Sequence, residues 1–115
     1  MRLDHVQLAI PKGSEELCRG FYCGPLGWTE IPKPRALAGR GGLWLDAGGA
    51  QVHLGVDPEF HPARKAHPAL ATDDLDVLAA RLGHAGLPVE WDDAIAGRRR
   101  FYTYDPVGNR LEFIE

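Results

Sequence analysis

Two hydrophobic spacings alternate along the chain, and together they predict short strands and two helices. Residues 3–10 alternate between apolar and polar positions, which is typical of a strand with one buried face. After Ser14, which is suited to cap a helix, apolar residues follow at helical spacing. Short apolar runs at residues 28–31, 43–46 and 51–56 predict three further strands, the last two joined by a glycine turn. The predicted buried stripe of the first helix is Leu17, Cys18, Phe21 and Tyr22.

The same order of elements restarts in the second half of the chain. A strand is predicted at residues 67–72, and Asp73 or Asp74 is placed to cap the next helix. Gly86 follows that helix as a C-terminal stop, and a short strand is predicted at residues 88–91. The predicted buried stripe of the second helix is Leu75, Leu78, Ala79 and Leu82.

The closing hairpin, residues 99–115, is the most informative stretch. Asp105 opens a turn of proline, glycine and asparagine between two strands rich in aromatic and branched side chains. Alternation puts Leu111 and Phe113 on one face of the last strand and Glu112 on the other, which we expect to be otherwise apolar. A carboxylate in such a face needs a partner, and a cation is the obvious candidate.

The two halves also share a local pattern, which suggests an internal repeat. A shift of 59 residues places Asp46 on Asp105 and His53 on Glu112, so one potential metal ligand falls on another. We therefore predict one domain built from two modules, because 115 residues suit a single ordinary core. The predicted parts are a first module at about residues 1–57, a connector at about 58–66 and a second module at about 67–115.

Four candidate metal ligands occupy equivalent places in these modules. His5 and His67 open the first strand of each module, 62 residues apart, while His53 and Glu112 lie in the last strands. The predicted fold class is α+β, with two βαβββ modules forming a curved, partly closed mixed sheet and the helices outside. Pseudo-twofold symmetry would bring the four strands together at the centre of that sheet. Imidazoles and one carboxylate meeting there would suit zinc, iron, manganese, nickel or cobalt.

Composition and charge exclude several other classes of protein. The net charge of −3 provides no general basic field, so nucleic-acid binding is not favoured. No apolar run approaches the length of a membrane span, and the start lacks the apolar core of a signal peptide. A cytoplasmic location is therefore expected by default, with no nucleic-acid or membrane partner. Two cysteines are too few for a disulfide framework, so we expect reduced thiols.

Essentially the whole chain resembles the vicinal-oxygen-chelate superfamily. That superfamily includes glyoxalase I, fosfomycin-resistance thiol transferases, methylmalonyl-CoA epimerase, extradiol dioxygenases and bleomycin-resistance proteins. The motifs are specific for the superfamily and weak for the reaction. They are Asp4-His5-Val6, Phe21-Tyr22-Cys23-Gly24-Pro25-Leu26-Gly27-Trp28, Gln51-Val52-His53-Leu54 and Asp105-Pro106-Val107-Gly108-Asn109-Arg110-Leu111-Glu112.

The resemblance implies a divalent metal in the trough of the sheet, bound at its most widespread positions by His5, His67 and Glu112. His53 matches the second ligand position of glyoxalase I, where that enzyme has Glu or Gln, and this departure counts against glyoxalase I activity itself. Glu112 would also act as the catalytic base. With iron(II), the set of His5, His67 and Glu112 would instead form a facial triad for oxygen chemistry. The reaction would be of lyase, isomerase, transferase or dioxygenase type.

Three further residues are candidates for substrate binding. Tyr102 occupies the place of a tyrosine that contacts substrate in the fosfomycin-resistance branch. Arg98 and Arg100 are expected to share its face by alternation, where one of them could bind a carboxylate or phosphonate. Trp44 and Trp91 are expected in the core or at a dimer contact rather than in a stacking platform.

Two readings of the chain remain open beside the metal-dependent enzyme. One is a metal-free dimeric binding protein that sequesters a small molecule or antibiotic, as bleomycin-resistance members do. The other is a dimeric scaffold in which His5 and Glu112 form a structural pair. The resemblance implies a homodimer with a small-molecule substrate or ligand in each case.

Overall fold

The computed structural model describes all 115 residues, which divide into two compact units at residues 1–62 and 63–115. The division lies inside the predicted connector. The first unit has four strands, β1 to β4, and one α-helix, α1, with a short 3-10 helix at Arg35–Arg40 before β3. The elements of the first unit are β1 (His5–Ile10), α1 (Glu15–Tyr22), β2 (Thr29–Ile31), β3 (Leu43–Asp46) and β4 (Gln51–Val56).

The second unit repeats this plan. It has four strands, β5 to β8, and one helix, α2, and no helix in either unit is long and apolar enough to cross a membrane. Its elements are β5 (Ala69–Ala71), α2 (Leu75–His84), β6 (Glu90–Asp92), β7 (Arg100–Tyr104) and β8 (Arg110–Ile114).

Strand pairing is the same in both units and confirms the βαβββ modules. The first sheet has the order β1-β4-β3-β2 and the second has the order β5-β8-β7-β6. The first strand of each unit pairs in parallel with the last, while the other neighbours are antiparallel. The fold is therefore α+β, as predicted. The strands form two separate four-stranded mixed sheets, and neither sheet is closed.

Strand register shows which residues of the two units are equivalent. His53 pairs with Gln7, and Glu112 pairs with Ala69. Two residues before these partners lie His5 and His67, so the two histidines occupy equivalent places, as the sequence predicts. The parallel strands thus set the relation between the two candidate ligands of each unit.

The alignment of Asp46 with Asp105 is wrong, because the β7–β8 turn is one residue longer than the β3–β4 turn. Asp46 pairs with the first residue of β4, whereas Tyr104 pairs with the first residue of β8. Tyr104 is therefore the equivalent of Asp46. Asp105 corresponds to Ala47, since the amide N–H of each donates to the carbonyl that closes its turn.

The helices bury the predicted apolar stripes with few exceptions. In α1, Cys18, Phe21 and Tyr22 are buried, and α1 packs against β3. Leu17 is 56% exposed, so its predicted place in the stripe is wrong. Ser14 does not cap α1, because its hydroxyl donates to the carbonyl of Pro11 instead.

In α2 the buried residues are Leu75, Leu78 and Leu82, as predicted, and Asp74 precedes the helix without a side-chain capping bond. Gly86 follows with a φ of 74°, which a glycine adopts more readily than any other residue. Both helices are therefore held mainly by apolar packing rather than by their caps.

Candidate functional site

The β7–β8 turn places Glu112 and is organised by one buried carboxylate. Oδ1 of Asp105 accepts hydrogen bonds from the backbone N–H groups of Val107 at 3.1 Å and Asn109 at 2.8 Å. Oδ2 accepts from the side-chain amide of Asn109 at 3.0 Å. These bonds hold the turn in one shape, so β8 leaves it in a single register with Glu112 opposite Tyr102.

Glu112 is only 5% exposed, and each of its carboxylate oxygens has its own partner. Oε1 accepts from the guanidinium of Arg100 at 3.0 Å, and Oε2 lies 2.8 Å from Nε2 of His67. The prediction that Glu112 lies on an otherwise apolar face is wrong. The register puts Arg100, Tyr102 and Arg110 on that same face.

His67 is held in a position that leaves one ring nitrogen for a cation. Its Nδ1 lies 2.8 Å from the carbonyl oxygen of Lys65. Since a carbonyl can only accept, Nδ1 carries the hydrogen and donates it. Nε2 then faces Oε2 of Glu112 with either a second proton or a lone pair. Two lone pairs at 2.8 Å repel each other, so the pair needs a proton or a metal ion between them.

The charges around Glu112 keep it ionised. Burial by itself would raise the pKa of Glu112, but hydrogen bonds from His67 and Arg100 outweigh it and lower the pKa below the ordinary value. Arg100 is shared with Asp92, whose Oδ1 accepts from the guanidinium at 2.9 and 3.2 Å. Arg100 therefore fixes one oxygen of Glu112 and leaves the other to His67.

Tyr102 lies on the same face and is surrounded by cations. The edge of its ring meets the ring of His67, with the centroids 5.3 Å apart and the planes at 89°. The guanidinium carbon of Arg110 lies 3.8 Å from the centroid of the Tyr102 ring, and that of Arg100 lies 5.4 Å from it. Tyr102, the predicted substrate-contact residue, thus has the guanidinium groups of Arg100 and Arg110 close to its ring.

Arg110 was not among the candidates from the sequence. Its Nε is buried and has no hydrogen-bond acceptor, and the residue forms no salt bridge. A signal for it existed, because Arg110 precedes Glu112 by two residues and strand alternation puts both on one face.

Arg98 lies two residues before β7, where strand alternation no longer determines the direction of its side chain. Its guanidinium donates to the main-chain oxygen of Glu115 at 3.2 Å, beside a cavity of about 720 Å³ in the second unit. Trp91, which was expected in the core or at a dimer contact, lines this cavity with half of its surface exposed, and Arg99 lies over its ring. The arginines that share a face with Glu112 are therefore Arg100 and Arg110.

The first unit holds its two candidate ligands in a stack of rings. His53 lies between His5, at a centroid distance of 4.1 Å, and Trp44, at 4.0 Å with the planes only 5° apart. Trp44 is thus a stacking residue, contrary to the expectation from the sequence. Nε2 of His53 also lies 3.3 Å from the side-chain oxygen of Gln51.

Both histidines of the first unit have the chemistry of metal ligands. Burial is the main cause that lowers the pKa of His53, and the nearby His5 lowers it further. A lowered pKa keeps the imidazole neutral, as a ligand must be. Nδ1 of His5 lies 2.8 Å from a carboxylate oxygen of Asp4, which leaves Nε2 of His5 for a cation. The rings line a cavity of about 520 Å³ in this unit, together with Lys33 and other residues.

The candidate ligands thus occur as two pairs, His5 with His53 and His67 with Glu112. No group of three or more His, Cys, Asp or Glu side chains in the structure is arranged to hold a metal ion. Within each pair the donor chemistry fits a borderline divalent ion, because neutral imidazoles and an ionised carboxylate are its preferred ligands.

Comparison with known proteins places the whole chain among glyoxalase-type folds. A crystal structure of a glyoxalase family protein from Bacillus anthracis matches with a TM-score of 0.97 and 44% identity, covering 100% of this chain and 94% of that one. Lactoylglutathione lyase from Agrobacterium tumefaciens matches with a TM-score of 0.72 and 20% identity, over 96% of this chain and 91% of that one. A glyoxalase/dioxygenase from Nostoc punctiforme matches at 0.74 and 22%, over 98% and 90%.

The last two similarities show the fold alone, because their sequence identities are low. No protein-family model and no curated protein matches this sequence. The similarity to the Bacillus anthracis protein extends from fold to sequence, over the full length of the chain.

Proposed function

Because this chain belongs to the glyoxalase family of the vicinal-oxygen-chelate superfamily, we propose that it is a divalent-metal-dependent enzyme acting on a small substrate with neighbouring oxygens. One observation carries the proposal. Nε2 of His67 and Oε2 of Glu112 lie 2.8 Å apart, while the carbonyl of Lys65 claims the ring's other nitrogen. A ring nitrogen and a carboxylate oxygen that face each other in this way offer two lone pairs to a bound cation. A backbone carbonyl on the second ring nitrogen is typical of metal-binding histidines.

The proposed ligands are His5, His53, His67 and Glu112, and the metal would be zinc, iron, manganese, nickel or cobalt. Asp4 orients His5 as Lys65 orients His67, through a hydrogen bond to Nδ1. A bound divalent ion would polarise the substrate oxygens and stabilise the negative charge that develops on them.

Glu112 is the proposed catalytic base. Its lowered pKa keeps the carboxylate ionised at neutral pH, and its burial excludes water from the oxygen that accepts the proton. Glu112 would leave the metal to act as the base. Because Arg100 holds Oε1, the proton from the substrate would then go to Oε2. A lowered pKa makes Glu112 a weak base, and the substrate carbon must therefore be made acidic by its neighbouring oxygens. This chemistry favours lyase and isomerase reactions over transferase and dioxygenase reactions.

The direct test is the metal content of protein purified without added metal, measured by mass spectrometry. We expect close to one divalent ion per chain in the wild type. Glu112→Gln keeps the shape of the side chain but removes its charge, and we expect it to lose metal at least roughly tenfold more readily. Glu90→Gln is the matched control, because Glu90 lies on β6 of the same unit and is exposed. A wild type that binds none of the five metals in dialysis would end the proposal.

A second function, metal-free binding of a small molecule or antibiotic by a homodimer, is favoured by the ring stack of the first unit. Trp44, His53 and His5 present parallel rings beside the cavity of about 520 Å³. Flat aromatic ligands stack on such surfaces. If metal-free protein binds an aromatic, cationic drug such as bleomycin with one molecule per site, and Trp44→Leu abolishes that binding, this second function is preferred.

A further inference from the structure

Among the guanidinium groups on the Glu112 face, that of Arg110 forms no salt bridge. Arg100 is already bound to two carboxylates, those of Asp92 and Glu112. The pKa of Asp92 is lowered chiefly by the N–H of Ala94 and by Arg100, and Arg110 adds a smaller charge effect. The side chain of Arg110 forms no hydrogen bond, and its buried Nε has no acceptor. A buried donor without an acceptor has given up its bond to water and received none in return. The Nε–H group of Arg110 is therefore a hydrogen-bond donor on this face that lacks an acceptor.

The ring of Tyr102 holds this guanidinium in a defined orientation. The guanidinium carbon lies 3.8 Å from the ring centroid, which is a close cation–π contact. Such a contact occupies the flat face of the guanidinium. Its N–H groups point outward in the plane, where a carboxylate or phosphonate binds through two parallel hydrogen bonds.

The position of Arg110 relates this anion site to the proposed base. Arg110 and Glu112 are two residues apart on β8 and face the same side, so their side chains leave the strand about 7 Å apart. A ligand spanning this distance places an anionic group at Arg110 and another atom, a few bonds away, at Glu112.

We propose that Arg110 is a substrate-binding residue and that the substrate carries a carboxylate, phosphate or phosphonate a few bonds from its reacting carbon. This inference rests on the proposed function in so far as it names the substrate class of the same site. It differs from the sequence-based expectation, which assigned the anion to Arg98 or Arg100. Arg100 instead positions Glu112, and Arg98 donates to the main-chain oxygen of Glu115.

Calorimetric titration with benzoate, phenylphosphonate and neutral benzamide tests the proposal, using protein as purified and after treatment with EDTA. We expect at least one of the two anions to bind and benzamide not to bind. Arg110→Gln should weaken the anion roughly tenfold or more, because it removes a charge-assisted pair of hydrogen bonds. Whichever anion loses more affinity in Arg110→Gln identifies the carboxylate or the phosphonate as the preferred group.

Two variants separate binding from folding. Arg81→Gln is the matched control, since Arg81 is an exposed arginine on α2 of the same unit, and its anion affinity should equal that of the wild type. Arg110→Lys keeps the charge but not the planar fork, and we expect intermediate affinity. Equal binding by Arg110→Gln and wild type, or no binding of either anion by folded wild type, would overturn the inference.

The metal measurement stays independent of this result. Anion binding that survives EDTA supports the role of Arg110 even if the metal proposal fails. A metal that binds normally while Arg110→Gln leaves anion affinity unchanged refutes only the role of Arg110.

Discussion

The two units share one backbone plan but hold their candidate ligands by different forces. In the first unit Trp44 lies opposite His53, and in the second Tyr102 lies opposite Glu112. The first pair is a stack of flat rings, whereas Glu112 is held by hydrogen bonds to charged or chargeable groups. The same register therefore holds a neutral candidate ligand, His53, in the first unit and an anionic candidate ligand, Glu112, in the second.

One glycine explains why the first unit has no counterpart of Arg100. Leu43 pairs with Leu54 as Phe101 pairs with Phe113, so the residue before Leu43 is the equivalent of Arg100. That residue is Gly42, with a φ of 81°, and an added Cβ would lie 2.0 Å from a backbone oxygen. The first unit has no room for a guanidinium there, and a neutral histidine needs none.

The largest expected effect comes from removing the guanidinium of the second unit. Arg100→Met leaves the buried carboxylate of Glu112 without its guanidinium partner, and we expect the melting temperature to fall by roughly 10 °C or more. Arg99→Met is the matched control, because Arg99 is half exposed and its salt bridges lie in water. It should lower the melting temperature by less than about 4 °C. Equal effects of the two variants would mean that Glu112 does not depend on Arg100.

The glycine comparison gives the next largest effect. Gly42 and Gly48 both have a φ of 81°, but a Cβ on Gly48 would meet nothing within 4 Å. Gly48→Ala should therefore cost only the left-handed backbone penalty, about 1 kcal/mol of unfolding free energy. Gly42→Ala adds a clash with backbone and should cost about 3 kcal/mol in urea unfolding. Similar costs would show that the first unit can yield at this position.

The smallest effect is on the pH dependence of stability in metal-free protein. The pKa of His53 is lowered in the folded protein, so His53 binds a proton more readily in the unfolded chain. Its contribution to the free energy of unfolding is therefore lost as the pH falls below the ordinary pKa of 6.5. Glu112 also has a lowered pKa, so its contribution is present above the ordinary value of 4.5 and is lost as the pH falls below it. Stability should thus fall in two steps on acidification.

Substitution assigns each step to one unit. His53→Gln should remove the step that begins near pH 6.5. Glu112→Gln should reduce the step below pH 4.5, to which Glu30, Asp76 and Asp92 also contribute through their lowered pKa values, as followed by urea unfolding across pH. The comparison between the units fails if either variant alters the step assigned to the other. Gln is a suitable replacement in both cases, because it is neutral throughout this range.

Much of the fold could be predicted because local patterns and the topology agree. The hairpin strands at Leu43–Asp46 and Gln51–Val56 begin and end where the alternation places them, and the stripe of α2 is buried as expected. Leu17 was misplaced because helical spacing allows a stripe wider than the surface that α1 covers. The equivalence of Asp46 and Asp105 failed because a one-residue difference in turn length is invisible when two short sequences are aligned.

The candidate site was only partly predictable for a related reason. Alternation placed Arg100 and Tyr102 on the face of Glu112, but it could not show how their long side chains would pair. Arg100, predicted to bind substrate, is held by Glu112 and Asp92, whereas Arg110, which was not predicted, forms no salt bridge and has a buried Nε without an acceptor. Trp44 was expected in the core or at a dimer contact, because no residue near it in the sequence indicates that a histidine ring lies flat against it.

The amino-acid sequence by itself determined the order of the elements, the repeated βαβββ plan and the equivalence of His5 with His67 and of His53 with Glu112. Those features follow from spacing along one chain, which backbone geometry converts directly into faces and register. Only the tertiary structure decided which cation neutralises Glu112, which arginine forms no salt bridge and which rings stack. Such choices depend on side chains from strands distant in sequence competing for the same partners, and no local pattern encodes the outcome.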